Sequence, residues 1–151
     1  MLRRRGDTVA TRFFGWFQHT LDDKGRLILP AEFRESLEEG AFIGRFPDHC
    51  LAIYPPGEFD TVTEDITRAA KEGGGDALAA SRFFNSGARP VSPDKQGRIP
   101  IAQHLRDWAQ LDREVVVTGQ QKRIELWSPE NWRDVEERGQ AELARRQGWG
   151  I

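Results

Sequence analysis

The chain has 151 residues but a single cysteine, Cys50. One cysteine excludes an internal disulfide framework and fits a reducing cytoplasm. No apolar run approaches the roughly 20 residues that a membrane-spanning helix needs. The basic residues near the start are also not followed by the apolar stretch of a secretory signal. These absences predict a cytoplasmic protein that does not act in a membrane.

Residues that could build a reactive centre are few. The three histidines, His19, His49 and His104, form no H-x-x-x-H pattern, and a lone cysteine cannot supply the C-x-x-C pair that zinc sites commonly use. No Ser/His/Asp arrangement, phosphate-binding loop or carboxylate pair stands out either. We therefore predict no catalytic residues, no metal and no cofactor, and hence a protein that is not an enzyme.

The formal net charge of −2 does not by itself indicate a nucleic-acid binder. A nucleic-acid-binding protein of this composition must cluster its basic residues on one surface, while the rest of the chain is acidic. The clearest short run is Arg3, Arg4 and Arg5, with Arg12 nearby. Such a run either follows a phosphate backbone as a flexible arm or is a solvated chain end, and the sequence leaves both readings open.

Two segments of the chain are copies of one unit. Residues 22–34, DDKGRLILPAEFR, align without a gap with residues 94–106, DKQGRIPIAQHLR. Four pairs are identical in this alignment: Asp22/Asp94, Gly25/Gly97, Arg26/Arg98 and Arg34/Arg106. After one extra residue in the second copy, residues 51–62 overlay residues 124–135. Residues 14–62 and 86–135 therefore form two copies, too few for a solenoid but suited to a pseudo-symmetric pair.

Each copy predicts the same order of elements. A strand over residues 14–21 is followed by an Asp-x-x-Gly turn, in which the glycine can take the left-handed conformation of a bulged hairpin. A short strand over 26–29, a helix starting near Pro30 and strands over 41–46 and 51–54 come next. The copy ends in a helix after Pro55 or, in the second copy, after Pro129. The segment KEGGG, residues 71–75, separates the copies, and residues 76–84 predict a short helix.

The predicted fold class is α+β with a β-barrel-like core. One such unit cannot bury both faces of its own sheet. We therefore expect the two units to interleave around one shared core.

The segments LDDKGRLILPAEFR and DKQGRIPIAQHLR make the chain resemble the MraZ family of bacterial regulators, which contain two tandem SpoVT-AbrB units. The resemblance covers nearly the whole chain. It implies a swapped-hairpin β-barrel with peripheral helices, homo-oligomeric rings and a nucleoid location. It also implies sequence-specific binding of double-stranded DNA with direct repeats, in promoters of the division and cell-wall gene cluster that include the chain's own.

The resemblance also implies a division of the chain. Residues 14–62 would be the first SpoVT-AbrB unit with its following helix, 63–85 a helical linker, 86–135 the second unit, and 136–151 a C-terminal helix and tail. In this family the turn segments face DNA. Carried over by position, the DNA-binding residues are Lys24, Gly25, Arg26, Lys95, Gln96, Gly97 and Arg98.

The residue types in these turns suit that role. An arginine beside a hairpin turn presents a planar fork to phosphate or to the O6/N7 edge of guanine, and a two-stranded ribbon is narrow enough for a major groove. The alternative is a structural arginine that pairs with Asp22 or Asp94 across the turn, and both roles can hold together. Gly25 and Gly97 are structural in either case, because they permit the turn.

Two features of the sequence allow more than one interpretation. Pro100 stands where the first copy has Ile28, and a proline must lie at a strand edge, a bulge or a strand end. The alternative function is an AbrB-type, antitoxin-like protein-interaction module that binds its partner through the segment after Pro129. Its stripe of Trp132, Val135 and Leu143 is better explained by packing or oligomerisation.

Overall fold

The computed structural model describes residues 12–150, so Arg3, Arg4 and Arg5 lie outside the described residues. The strands are β1 (Trp16–Thr20), β2 (Arg26–Ile28), β3 (Ala41–Phe46), β4 (Cys50–Tyr54), β5 (Arg89–Val91), β6 (Arg98–Pro100), β7 (Glu114–Gln120) and β8 (Arg123–Trp127). The helices are α1 (Ala31–Arg34), α2 (Pro56–Gly73), α3 (Gly75–Gly87), α4 (Gln103–Trp108) and α5 (Pro129–Arg145). None of these helices is long and apolar enough to cross a membrane.

The observed elements follow the predicted order, with differences at their ends. The first strand is shorter than residues 14–21, because Gly15 has a φ of +108° and Leu21 forms only a single bridge with Leu27. The helix after Pro30 is one turn of α-helix continued by a 3-10 turn. Between the copies only Gly74, with a φ of +78°, separates α2 from α3.

The two copies interlock through their strands. One sheet has the order β1-β7-β8-β4-β3-β5, and β2 pairs with β6 in a separate two-stranded ribbon. Four of the six strand pairings, β1–β7, β2–β6, β3–β5 and β4–β8, join the first copy to the second. The α+β class and the interleaved repeats are therefore confirmed.

A closed barrel is not found among residues 12–150. The six-stranded sheet ends at β1 and at β5, each paired on one side only. The reason lies in β2 and β6, which pair with each other, and the bridge from Leu21 to Leu27 links this ribbon to the end of β1. The ribbon is therefore attached to the sheet without closing it.

One hydrophobic core serves both copies. Its largest cluster takes matching residues from each, and these are fully or almost fully buried: Leu27 and Ile99, Leu29 and Ile101, Phe33 and Leu105. Because neither copy contains this core alone, the two halves depend on each other for burial of apolar surface. The predicted boundaries at 62/63 and 135/136 fall inside α2 and α5, and the division into units stays a prediction.

Candidate nucleic-acid interface

The first predicted turn has the geometry that its sequence indicates. The Asp22 side chain accepts hydrogen bonds through Oδ1 from the backbone N–H groups of Lys24 and Arg26, each at 2.9 Å. The Gly25 N–H donates to the Asp22 carbonyl at 3.0 Å, and Gly25 has a φ of +73°. Such a conformation disfavours residues with a Cβ, which confirms the structural role predicted for Gly25.

The second turn repeats this arrangement atom for atom. Asp94 Oδ1 accepts from the N–H groups of Gln96 and Arg98, each at 2.9 Å. The Gly97 N–H donates to the Asp94 carbonyl at 2.9 Å, and Gly97 has a φ of +79°. The two turns are thus equivalent under the internal pseudo-symmetry of the chain.

Each turn fixes the arginine that follows its glycine. Arg26 Nε donates to Asp22 Oδ2 at 2.8 Å, and Arg98 Nε donates to Asp94 Oδ2 at 2.8 Å. The structural pairing considered from the sequence is therefore present. No described residue accepts a hydrogen bond from the terminal guanidinium nitrogens of either arginine, so these donors are available to a ligand.

Hydrogen bonding holds both aspartates in the ionised form. The Arg26 backbone N–H, the Arg26 side chain and the Lys24 N–H lower the pKa of Asp22 below its ordinary value. The Arg98 backbone N–H and side chain, with the Gln96 N–H, lower the pKa of Asp94 in the same way. Both turns therefore keep their charged pairs throughout the neutral pH range.

The ribbon places both arginines on one face. In the antiparallel register Arg26 lies opposite Pro100, and Ile28 lies opposite Arg98. Successive side chains of a strand alternate between faces, so these four share the outward side, while Leu27 and Ile99 are fully buried beneath. Arg26 and Arg98 are diagonal neighbours, a relation that sets two residues about 7–8 Å apart and their Cβ atoms somewhat closer.

Pro100 does not disturb this ribbon. It is the last residue of β6, at the end of a strand that pairs on one side only. This is one of the positions that the sequence allowed for it.

The other predicted residues surround this face. Lys24, Lys95 and Gln96 are exposed at the turn tips, whereas Gly25 and Gly97 are buried. The seven predicted residues thus lie in two turns, one at each end of the ribbon, and at the first position of each ribbon strand.

Sequence reasoning missed two contributions to this surface. Arg113 borders the same depression as Arg26 and Arg98, and its carbonyl accepts from the Leu21 N–H at 2.8 Å. It lies outside the repeated motif, so no pattern pointed to it. Arg34 and Arg106 were visible as an identical pair, but the alignment gave no sign that their side chains lie against the opposite turns.

The histidines and the cysteine do not converge on one site. His49 is exposed and lies against Trp108, with Nδ1 3.0 Å from the Trp108 carbonyl. Cys50 is buried, and burial raises the pKa of its thiol. Within residues 12–150 no group of three or more His, Cys, Asp or Glu side chains is placed to hold a metal.

A second feature of the surface is an apolar groove of about 650 Å³ beside α5. Trp127, Trp132, Val135 and Leu143 line it, together with Trp16 of β1. The indole nitrogens of Trp127 and Trp132 are buried with no hydrogen-bond partner among the described residues. The equivalent aromatic pair of the first copy, Tyr54 and Phe59, is instead covered by Phe84 of α3. The two copies therefore differ at this aromatic pair, and the groove breaks their pseudo-symmetry.

The fold and this surface define a class of protein. One chain contains two interlocked repeats and exposes a two-stranded ribbon in which each strand follows an Asp-x-x-Gly turn. The family model described as "MraZ protein, putative antitoxin-like" matches residues 13–74 and 84–147, which include both repeats. The chain belongs to the MraZ family.

Curated relatives support this membership over most of the chain. The chain is 46% identical over 125 residues to the transcriptional regulator MraZ of Desulforamulus reducens, covering 80% of this chain and 84% of that protein. It is 42% identical over 129 residues to the protein of the same name from Natranaerobius thermophilus, covering 85% and 90%. The corresponding protein of Salinispora arenicola is 44% identical over 120 residues, covering 80% and 84%. The predicted resemblance is confirmed, and these names describe regulators rather than enzymes.

Proposed function

We propose that the chain is a sequence-specific DNA-binding transcriptional regulator that acts in the cytoplasm, at the nucleoid. The observation that carries this proposal is the shared outward face of Arg26 and Arg98. Each guanidinium is oriented by an aspartate through Nε and keeps its terminal nitrogens for a ligand. Such a fork suits the O6/N7 edge of guanine or a phosphate, and a two-stranded ribbon fits the major groove.

The remaining turn residues have supporting roles in this proposal. Lys24 and Lys95 are exposed on opposite turns and would contact the phosphate backbone. Gln96, exposed only in the second turn, would read a base edge. Because Lys24 occupies the equivalent position in the first turn, the two turns would not read the same bases.

The charge of the chain bears on how it would bind. The net charge is −2, so one protomer has little general attraction for DNA. A homo-oligomeric ring that engages several direct repeats at once would raise the effective concentration of each further turn. The family resemblance supports such rings, and it supports promoters of the division and cell-wall gene cluster, including the chain's own, as targets.

Fluorescence anisotropy with two duplexes tests this function. One duplex carries the region upstream of the chain's own gene, and the other has the same composition in shuffled order. We expect preferential binding of the upstream duplex, a steep decrease in affinity with added salt, and a footprint on evenly spaced repeats. Equal affinity for both duplexes, or no binding at low salt, would overturn the proposal.

A second candidate function is protein binding by an antitoxin-like module. The apolar groove beside α5 and the words of the family description favour it. In this case purified chain would bind a stoichiometric protein partner, and Val135→Glu or Leu143→Glu would abolish that complex. Loss of the complex with unchanged DNA binding would assign the groove to the partner, whereas no complex at all would remove this candidate.

A further inference from the structure

Arg34 and Arg106 connect the two turns across the repeats. Both are half-buried and follow the ribbon strands by a few residues, Arg34 in α1 and Arg106 in α4. A Cβ built on Gly25 would lie 2.8 Å from Arg106 Cζ, and one built on Gly97 would lie 2.6 Å from Arg34 Cζ. Each guanidinium therefore lies directly against the glycine of the other copy's turn.

The antiparallel register explains this crossing. β2 ends beside the turn that begins β6, and β6 ends beside the turn that begins β2. Hydrogen bonds extend the ladder at both ends, from the Leu29 N–H to the Gly97 carbonyl and from the Ile101 N–H to the Gly25 carbonyl, each at 2.9 Å. Since α1 and α4 start directly after these points, their arginines reach the opposite turn rather than their own.

The chemistry of the contact favours arginine. The planar guanidinium can lie flat over a glycine that has no Cβ, whereas a lysine ammonium is a compact charge that prefers hydration. Arg34 is further fixed because its Nε donates to the Leu29 carbonyl at 2.9 Å. Arg106 Nε is buried with no hydrogen-bond partner among the described residues, so the equivalent contact on the first turn depends on packing.

We propose that Arg34 and Arg106 are positioning residues that act across the repeats. In this proposal Arg106 holds the turn that presents Arg26, and Arg34 holds the turn that presents Arg98. The DNA contribution of each turn then depends on the copy to which it does not belong. The expected effect on DNA affinity rests on the proposed function. The expected effect on how rigidly each turn is held does not.

Hydrogen exchange of the DNA-free protein tests the crossing directly. We expect Arg106→Met to speed amide exchange in residues 22–26, whose amide hydrogen bonds lie within their own turn, and to leave the equivalent residues 94–98 unchanged. Arg34→Met should give the reverse. Arg138→Met, at an exposed arginine of α5, is the control and should change neither segment. Faster exchange in each arginine's own copy, or no change in either turn, would overturn the proposal.

DNA affinity supplies a second test through double-mutant cycles. Arg106→Met should weaken binding of the upstream duplex by about tenfold, and its effect should largely vanish when Arg26 is already alanine. Combined with Arg98→Ala, the same substitution should keep its full effect, so that the two fold-losses in DNA affinity multiply. Coupling of Arg106 to Arg98 instead, or independent effects in both cycles, would contradict the crossed arrangement.

The two tests separate the possible failures. If Arg26→Ala and Arg98→Ala leave DNA affinity unchanged, the proposed function fails while hydrogen exchange still decides the crossing. If Arg106→Met does not fold, Arg106→Lys preserves the charge and the stem of the side chain. It should still speed exchange in residues 22–26, because an ammonium lacks the planar contact.

Discussion

At the residue scale, the aspartate of each turn performs two separable tasks. Asp22 Oδ1 holds two backbone N–H groups, and Oδ2 holds the Arg26 guanidinium. Asp94 does the same for the second turn. Because different oxygens serve the two tasks, a substitution can remove one and keep the other.

Asp22→Asn should therefore preserve the turn and release the arginine. The amide oxygen of asparagine can still accept from the backbone, but its NH₂ group cannot accept from Arg26 Nε. Since a negative charge beside DNA is also lost, the informative quantity is the ratio of affinities for the upstream and shuffled duplexes. We expect this ratio to fall by about tenfold, whereas thermal stability should fall only slightly, because the lost ion pair is partly exposed to solvent. An unchanged ratio would show that the pairing does not orient Arg26 for binding.

The stability of the folded chain depends on pH through His19. Burial, with a smaller effect of the positive charge of Arg34, lowers the pKa of His19 below its ordinary value of 6.5. The unfolded chain therefore binds a proton at His19 more readily, and stability falls as the pH drops below 6.5 towards the lowered pKa. Wild type should lose more stability between pH 7.5 and 5.5 than His19→Gln, measured by urea unfolding. Equal losses in both proteins would contradict this assignment.

At the element scale, the two glycine turns are the most constrained parts of the ribbon. Gly25→Ala combines a φ of +73° with a Cβ placed against Arg106. We expect it to lower the free energy of unfolding by at least about 1–2 kcal/mol, the usual cost of a left-handed residue with a side chain. Gly139→Ala is the matched control, because Gly139 lies in α5 with nothing within 4 Å of an added Cβ.

The control should change stability in the opposite direction. Alanine in a helix interior is favoured over glycine by roughly 0.5–1 kcal/mol. Chemical unfolding of both variants should therefore give a loss for Gly25→Ala and a gain for Gly139→Ala. Similar small changes in both would mean that the turn conformation is not what the sequence and the structure indicate.

The elements also show what the sequence could and could not predict. Asp22, Gly25 and Arg26 form a local pattern, so turn type, glycine conformation and arginine tether were all accessible from residue order. The contacts of Arg34 and Arg106 depend on the register of β2 with β6, which joins residues about 70 positions apart. The open ends of the sheet have the same origin, because they follow from which strands pair and not from any single strand.

At the scale of the whole molecule, neither repeat is a complete structure. Four of the six strand pairings join the copies, and the main core takes residues from both. Residues 1–74 and 75–151, produced separately, should each lack cooperative unfolding by circular dichroism. Mixing them should restore a cooperative transition, since the interface between the halves is the core itself. A cooperative transition in either half alone would contradict the interlocked fold.

The central claim is that the two turns of one ribbon meet DNA together through Arg26 and Arg98. The direct measurement is the affinity of Arg26→Ala/Arg98→Ala for the upstream duplex across a salt series, with Arg138→Ala as the control. We expect a loss of about 100-fold for the double variant, from roughly tenfold at each arginine, and a shallower salt dependence. The control should match wild type. Wild-type affinity and salt dependence in the double variant would contradict the account.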